Sequence, residues 1–261
     1  MLTIFTPVYN REDTLKRLYE SLLRQTSKDF HWVVIDDGST DRSGELIKEF
    51  MLHSPFEITY KYLKNGGKMR AINEGVALAR GEFFFIVDSD DYIADNCVEK
   101  ILFYGKTLPK SMGGMIFRKI DMITNKITGN PYPKPILDSS PIEIVYKLGI
   151  DGDKAEVFRT ELLRENPFEV YTGEKFIPEA TVWVKIGEQY KMRYIDEGIY
   201  YFEYLENGYT KNFKKLMRDN PKGFKKYYKF MLSYQLPLKN RIKFFIRYVQ
   251  ATYYSLIAKR R

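Results

Sequence analysis

The sequence predicts an α/β protein, a mostly parallel central sheet flanked by helices, with a basic helical extension at its C-terminal end. Three observations predict it. Short apolar runs alternate with amphipathic segments through the first hundred residues, which is the pattern of parallel strands covered by crossover helices. With 44% hydrophobic and 16% aromatic content, 261 residues suffice to bury a large core. From residue 211 onward, 15 Lys and Arg stand against a single acid, Asp219, whereas the preceding residues hold 27 basic and 33 acidic groups. A mildly acidic body therefore carries a strongly basic tail, an asymmetry that marks a surface-binding segment.

Each element follows from periodicity. LTIF (2–5) is a first strand, and Leu15, Leu18 and Leu22 then recur at helical spacing in DTLKRLYESLLRQ. WVVID (32–36) is a second strand, after which Ser39, Thr40 and Asp41 are N-cap candidates for a helix in GSTDRSGELIKEFM. ITYKYL (58–63) alternates like a half-exposed strand. Met69, Ile72, Val76 and Ala79 form one face of a helix, with Gly81 placed to end it as a C′ residue. FFFIVD (83–88) is the most apolar strand, hence central. Beyond about residue 112 the pattern changes. TNK in GGMIFRKIDMITNKITG predicts a hairpin, and PYPKPILDSSP (131–141) crosses the surface. DKAEVFRTELLREN (153–166) and EATVWVKIGEQ (179–189) read as helices, and MRYIDEGIYYFEYL (192–205) as strand. The expected division is a domain over 1–210, its halves meeting near 110, followed by the tail 211–261.

Composition excludes several classes of chemistry. A lone Cys97 rules out an intramolecular disulfide and suits a reducing compartment, and two histidines leave little room for a Cys/His zinc site. MLTIFTPVYN lacks the basic lead-in and apolar length of a signal peptide, and nowhere do 18 uncharged apolar residues run together.

In open α/β sheets, ligands bind beyond the carboxyl ends of the strands. Four unusual segments are delivered to that edge: Thr6-Pro7-Val8-Tyr9-Asn10, Asp36-Asp37-Gly38-Ser39, Asn65-Gly66-Gly67-Lys68 and Asp88-Ser89-Asp90-Asp91. An extended backbone puts Asp88 and Asp90 on one side and Asp91 on the other. Crowded carboxylates stay ionised only when a cation or donors compensate them. Mg²⁺ or Mn²⁺ fits, because such ions use one or two carboxylates plus substrate phosphates. A solvated turn with Asp95 as an N-cap is the competing reading. Asp37 is placed to accept the imide N–H of a base, although strand-Asp-Gly-Ser is also ordinary turn chemistry. The two glycines of NGGK permit close backbone approach, and Lys68 offers a point charge to a diphosphate. Neither GxGxxG nor GxxxxGK[ST] occurs, so phosphates bound here need the metal.

TPVYN, VVIDDGSTD, GGKMRAINEG followed by ARGE, and FIVDSDD, in this order and spacing, resemble the nucleotide-sugar half of family 2 glycosyltransferases, inverting enzymes of GT-A fold. The match runs motif by motif over about 1–100 and more loosely to about 205. The resemblance implies that Thr6, Pro7, Val8 and Tyr9 lie beside the nucleotide, Asp37 at the base, and Lys68 near the base or diphosphate. It places Asp90 by ribose and metal, makes Asp91 the principal metal ligand, and gives Asp88, the first acid of the DxD pattern with Ser89 beside it, either role. The family commonly takes its base from the Asp of a Glu-Asp pair opening a helix, where this chain has Glu179 followed by Ala180. Glu179 is therefore the expected base and Glu174 the runner-up. The same resemblance implies a UDP-sugar or other nucleotide-sugar donor. It also implies a glycan or lipid-linked acceptor in bacterial capsule, exopolysaccharide or lipopolysaccharide assembly.

Trp183 and the aromatics Tyr200, Tyr201, Phe202 and Tyr204 either stack on sugars or pack in the core. The tail interleaves 11 aromatics with its cations, and Leu238, Ile242, Phe245, Ile246 and Val249 fall near helical spacing. Such a segment suits an anionic membrane surface, and hence a cytoplasmic enzyme peripheral at the inner face of the cell membrane. Packing on the domain or in a homodimer competes with that reading. Nucleic acid is disfavoured because an aspartate-rich cleft repels a polyphosphate. Two other functions fit the fold: a sugar-phosphate nucleotidyltransferase, for which TPVYNRED is a poor phosphate loop, and a non-catalytic glycan-binding or membrane scaffold, for which Ala180 speaks.

Overall fold

The computed structural model describes residues 1–203 and 212–258. The apolar runs of the first hundred residues become β1 (Leu2–Val8), β2 (Phe30–Asp36), β3 (Ile58–Tyr62) and β4 (Phe83–Ile86), paired in parallel in the order β3-β2-β1-β4. Every residue of β2 is buried, as expected of a strand covered on both faces. The crossovers are α1 (Leu15–Leu23), α2 (Ser43–His53) and α3 (Lys68–Leu78). Alternation along β1 divides the core. Ile4 faces the layer of Leu15, Leu18, Trp32 and Ile47, while Phe5 faces that of Met69, Ile72, Phe84 and Trp183.

The second half extends the same sheet. It contains β5 (Tyr92–Ile93), α4 (Cys97–Lys106), β6 (Met112–Asp121), β7 (Ile136–Ser139), a π-helical turn (Glu143–Lys147), β8 (Lys154–Arg159), α5 (Thr160–Glu165), α6 (Ala180–Ile186) and β9 (Lys191–Phe202). The order continues β4-β8-β6-β9-β5, with β7 also on β9. Strand β8 runs antiparallel to both β4 and β6, whereas β6 and β9 are parallel.

Three local expectations change. Residues 153–166 are not one helix, because 154–159 is β8, inserted between β4 and β6 with Ala155 and Val157 fully buried. Non-local pairing overrides the helical propensity of its Lys, Ala and Glu. The stretch 131–141 does more than cross the surface, since it supplies β7. Gly81 is not a left-handed cap: Ala79 is already extended, and a Cβ on Gly81 would lie 2.4 Å from the amide nitrogen of Thr3. The TNK turn forms as expected, closed by an Ile120–Ile127 bridge with Asn125 at φ 53°.

The tail forms α7 (Phe213–Asp219), α8 (Pro221–Met231) and α9 (Leu238–Ala258). Met217, Phe224, Tyr228, Met231, Phe244 and Ala251 form a third apolar cluster with Val184 of α6, so part of the tail packs on the body. Tyr204 and the expected boundary at 210–211 lie outside the described residues.

Candidate active site

The carboxyl ends of β1, β2 and β4 meet the N-terminus of α3 at one edge. Alternation on β1 buries Thr6 and Val8, and Thr6 Oγ1 accepts from Trp32 Nε1 at 3.0 Å. Pro7 is half-buried and Tyr9 exposed, so these two are the accessible side chains of that segment. The loop after β1 is laced to the loop after β2. The amides of Asn10 and Arg11 donate to Ser39 Oγ and Ser43 Oγ, and Asn10 Oδ1 accepts from the Thr40 amide.

Asp37 organises the neighbouring loop. It is buried, and its two oxygens accept the amides of Gly66 and Gly67 at 2.8 and 2.7 Å. Gly67 sits at φ 93° with Lys175 O where a Cβ would be, so no other residue fits between Asp37 and the 171–177 loop.

Lys68, the first residue of α3, joins two parts of the site. Its Nζ lies 2.7 Å from Asp88 Oδ1 and 2.9 Å from Glu179 Oε1. Burial alone would lower the ammonium, but the two carboxylates outweigh it and hold Lys68 well above the ordinary lysine value. For Asp88, burial is likewise outweighed, by Lys68 and then Lys119, and its carboxyl lies below the usual range. Asp90 is contacted by Arg11 at 3.5 Å. Asp91 turns inward and accepts from Tyr200 Oη at 2.6 Å, while the Asp88 amide donates to that same oxygen at 3.0 Å. Burial pushes Asp91 up to about 7, with Asp88 and Asp90 adding repulsion against the pull of Lys119 and Tyr200. Ser89 is buried, its carbonyl accepting from Thr14 Oγ1 at 2.8 Å.

Sequence reasoning missed Arg11, Lys119 and Glu156. In the β6–β9 register Lys119 stands opposite Tyr200, and its Nζ sits 3.9 Å from that ring's centroid. From there its charge acts on Asp88, Asp91 and Glu156. Burial pushes Glu156, on β8, up to about 7, Lys119 opposing and Glu179 reinforcing the shift. An acid within the KAEVFR alternation was the available signal for Glu156, hidden by reading the segment as helix.

Glu179 immediately precedes α6, whereas Glu174 is turned elsewhere. The oxygens of Glu174 accept the amides of Lys222 and Gly223 at 2.9 and 3.0 Å, in the first turn of α8. Asn220 Oδ1 accepts the amides of Lys175 and Phe176 at 2.7 and 2.9 Å, pinning the loop that leads to Glu179. Trp183 stacks on Phe158 at 4.4 Å, Tyr201 stacks on Tyr92 at 4.6 Å, and Tyr200 and Phe202 are buried.

Among the described residues no three Asp, Glu, His or Cys side chains form a ready metal cage. A divalent ion that brings its own phosphate oxygens does not need one. Asp88 and Asp90 are partly open, in contact with Lys68 and Arg11 respectively, and Asp91 is an acid that burial, with some repulsion from Asp88 and Asp90, pushes up to about 7. This hard-oxygen donor set fits such an ion.

Comparison with known proteins gives a consistent family. The model of the family "Glycosyl transferase family 2" matches residues 3–165. Glycosyltransferase GlyG of Streptococcus pneumoniae is 35% identical over 101 residues, 39% of this chain and 34% of that protein. Poly(ribitol-phosphate) beta-glucosyltransferase of Bacillus spizizenii is 27% identical over 175 residues, 63% of this chain and 26% of that protein. The chain thus spans about a third or less of the curated relatives it matches. Among solved structures, S. aureus TarS 1–349 in complex with UDP-GlcNAc superposes with a TM-score of 0.66 at 18% identity, covering 96% of this chain and 72% of that one. Mannosyltransferase PcManGT of Pyrobaculum calidifontis, in complex with GDP-Man and Mn²⁺, gives 0.64 at 17% identity over 99% and 74%.

Proposed function

Because the chain belongs to glycosyltransferase family 2 and has its GT-A fold, we propose that it moves a sugar from a nucleotide sugar, with uridine favoured, to an acceptor hydroxyl with inversion. The observation that carries the proposal is the Lys68 ammonium, which ties Asp88 of the DSDD segment to Glu179 in one cluster. A displacement at the anomeric carbon needs both groups close together: one end receives the departing diphosphate, the other removes a proton from the incoming hydroxyl.

In this reading Glu179 takes the acceptor proton as the hydroxyl oxygen bonds to the anomeric carbon. The bond to the diphosphate breaks and its electron pair leaves with the nucleotide. Lys68 orients Glu179 and, with Arg11 and Lys119, sets positive charge around the leaving group. Pro7 and Tyr9 line the nucleotide, and Asp37 meets the base while shaping the Gly66-Gly67 wall. Asp90 and Asp88, with Asp91 behind them, would hold Mg²⁺ or Mn²⁺, which when bound offsets charge on the diphosphate. Glu174 is assigned to α8 rather than to proton transfer.

The acceptor is proposed to be a lipid-linked glycan in bacterial surface-polysaccharide assembly, a setting supported by the named activity of the Bacillus relative. The reaction would run at the inner face of the cell membrane, the basic segment against the anionic surface. Release of nucleoside diphosphate from a panel of nucleotide sugars tests the reading. Glu179→Gln should lower turnover by about 10²- to 10⁴-fold with little change in Tm; an undiminished rate removes the base assignment. No turnover of any donor by the unsubstituted protein favours the scaffold reading that Ala180 permits.

A further inference from the structure

Helix α9 carries two apolar faces, and the protein uses one. Phe244 and Ala251 are buried in the cluster with Tyr228 and Met231, and Ser255 is buried on the same side. At about 100° per residue, Leu238, Ile242, Phe245, Val249, Tyr253 and Leu256 fall within an arc of about 80° that lies well away from that side. All six are between 49% and 71% exposed. On the same wheel Arg241 borders the arc on one flank, and Lys239 and Lys243 border it on the other.

Resting on the membrane-apposed reading given above, we infer that this outer face of α9 is the surface by which the protein lies on an anionic lipid bilayer, its axis in the plane of the interface. Charge selects the occupant. Residues 212–258 contain 11 Lys and Arg and one acid, Asp219, which lies outside α9. A second copy of α9 on this face would set cations against cations with no acid to pair them, whereas anionic headgroups meet both flanks while the arc enters the acyl boundary. No described helix is long and apolar enough to cross a membrane, so α9, 21 residues and about 31 Å long, lies on the surface rather than spanning it.

Co-sedimentation of the full chain with vesicles tests this. Phosphatidylcholine vesicles containing about a third phosphatidylglycerol should bind it, and pure phosphatidylcholine should bind far less. Phe245→Glu with Val249→Glu, both exposed and hence compatible with an unchanged circular dichroism spectrum, should weaken binding by at least about tenfold. In a Phe245→Trp variant, the fluorescence of the introduced indole should be quenched by brominated acyl chains. If the protein binds anionic vesicles but the double variant binds equally and the introduced indole is not quenched, the α9 assignment is overturned while the membrane reading stands. If the unsubstituted protein ignores anionic vesicles, both fall. A dimer that the double variant converts to monomer without changing vesicle binding makes the face a contact between copies.

Discussion

Glu156 shows how one residue can hold a cost that the rest of the molecule tolerates. Burial on β8 pushes its carboxyl from 4.5 to about 7, opposed by Lys119 and Lys154 and aided by Glu179. A carboxyl raised on folding is neutral in both states below its unfolded pKa. Its stabilising contribution is therefore complete under about pH 4.5 and is lost as the pH rises through about 7, because the unfolded chain then releases a proton that the folded one retains. Glu156→Gln removes that dependence. The variant should gain about 1–2 kcal/mol over the unsubstituted protein at pH 8, discounted for partial exposure, and nothing at pH 4. Denaturant melts at the two pH values check it. An equal or lower stability of the variant at pH 8 would mean that Lys119 already compensates the ionised acid in full.

At the scale of elements, the first four strands were legible because β1, β2 and β4 are apolar runs whose burial their own residues announce, and β3 alternates as a half-exposed strand does. Strand β8 was not, since KAEVFR has the composition of a helix and becomes strand only through partners 36 to 76 residues away in β6 and β4. The four strand-end segments could be seen to converge for the same reason as the strands. Lys119 and Glu156 could not, because their meaning lies in the register of β6, β8 and β9. Nor could sequence tell that Glu174 belongs to α8, whose first amides it accepts. The loop leading to Glu179 is held from the tail side by Asn220, so α8 supports the site. Asn220→Ala strands two amides in a half-buried loop and should cost about 2–4 kcal/mol. Turnover should fall through kcat as well as through donor KM, because the loosened loop leads to Glu179 and its Lys175 carbonyl also abuts Gly67 of the nucleotide wall. An unchanged kcat in a variant with lowered Tm would separate α8 from the chemistry.

Across the whole molecule, charge is divided between an acid-rich cleft and a cationic tail, and the cleft is where donor and cation must depend on each other. Asp88 and Asp90 are each in contact with a basic side chain, and burial pushes Asp91 up to about 7, so the free protein offers a lone divalent ion little. A donor alone brings its diphosphate against Asp88 and Asp90 and finds Lys68 and Arg11 already engaged with them. Together, each supplies what the other lacks: the diphosphate completes the oxygen set around the ion, and the ion offsets charge on the diphosphate. Such coupling is reciprocal, each ligand raising the affinity of the other by the same factor. Stabilisation by a ligand at about a hundred times its Kd is about 2.7 kcal/mol, which for a chain of this length moves Tm by about 5–10 °C. Thermal melts with Mn²⁺ alone, UDP-sugar alone and both should therefore show small single shifts and a combined shift well above their sum, with chelator returning the curve to that of donor alone. If the shifts merely add, ion and diphosphate do not share the aspartates, and the divalent site lies somewhere other than Asp88, Asp90 and Asp91.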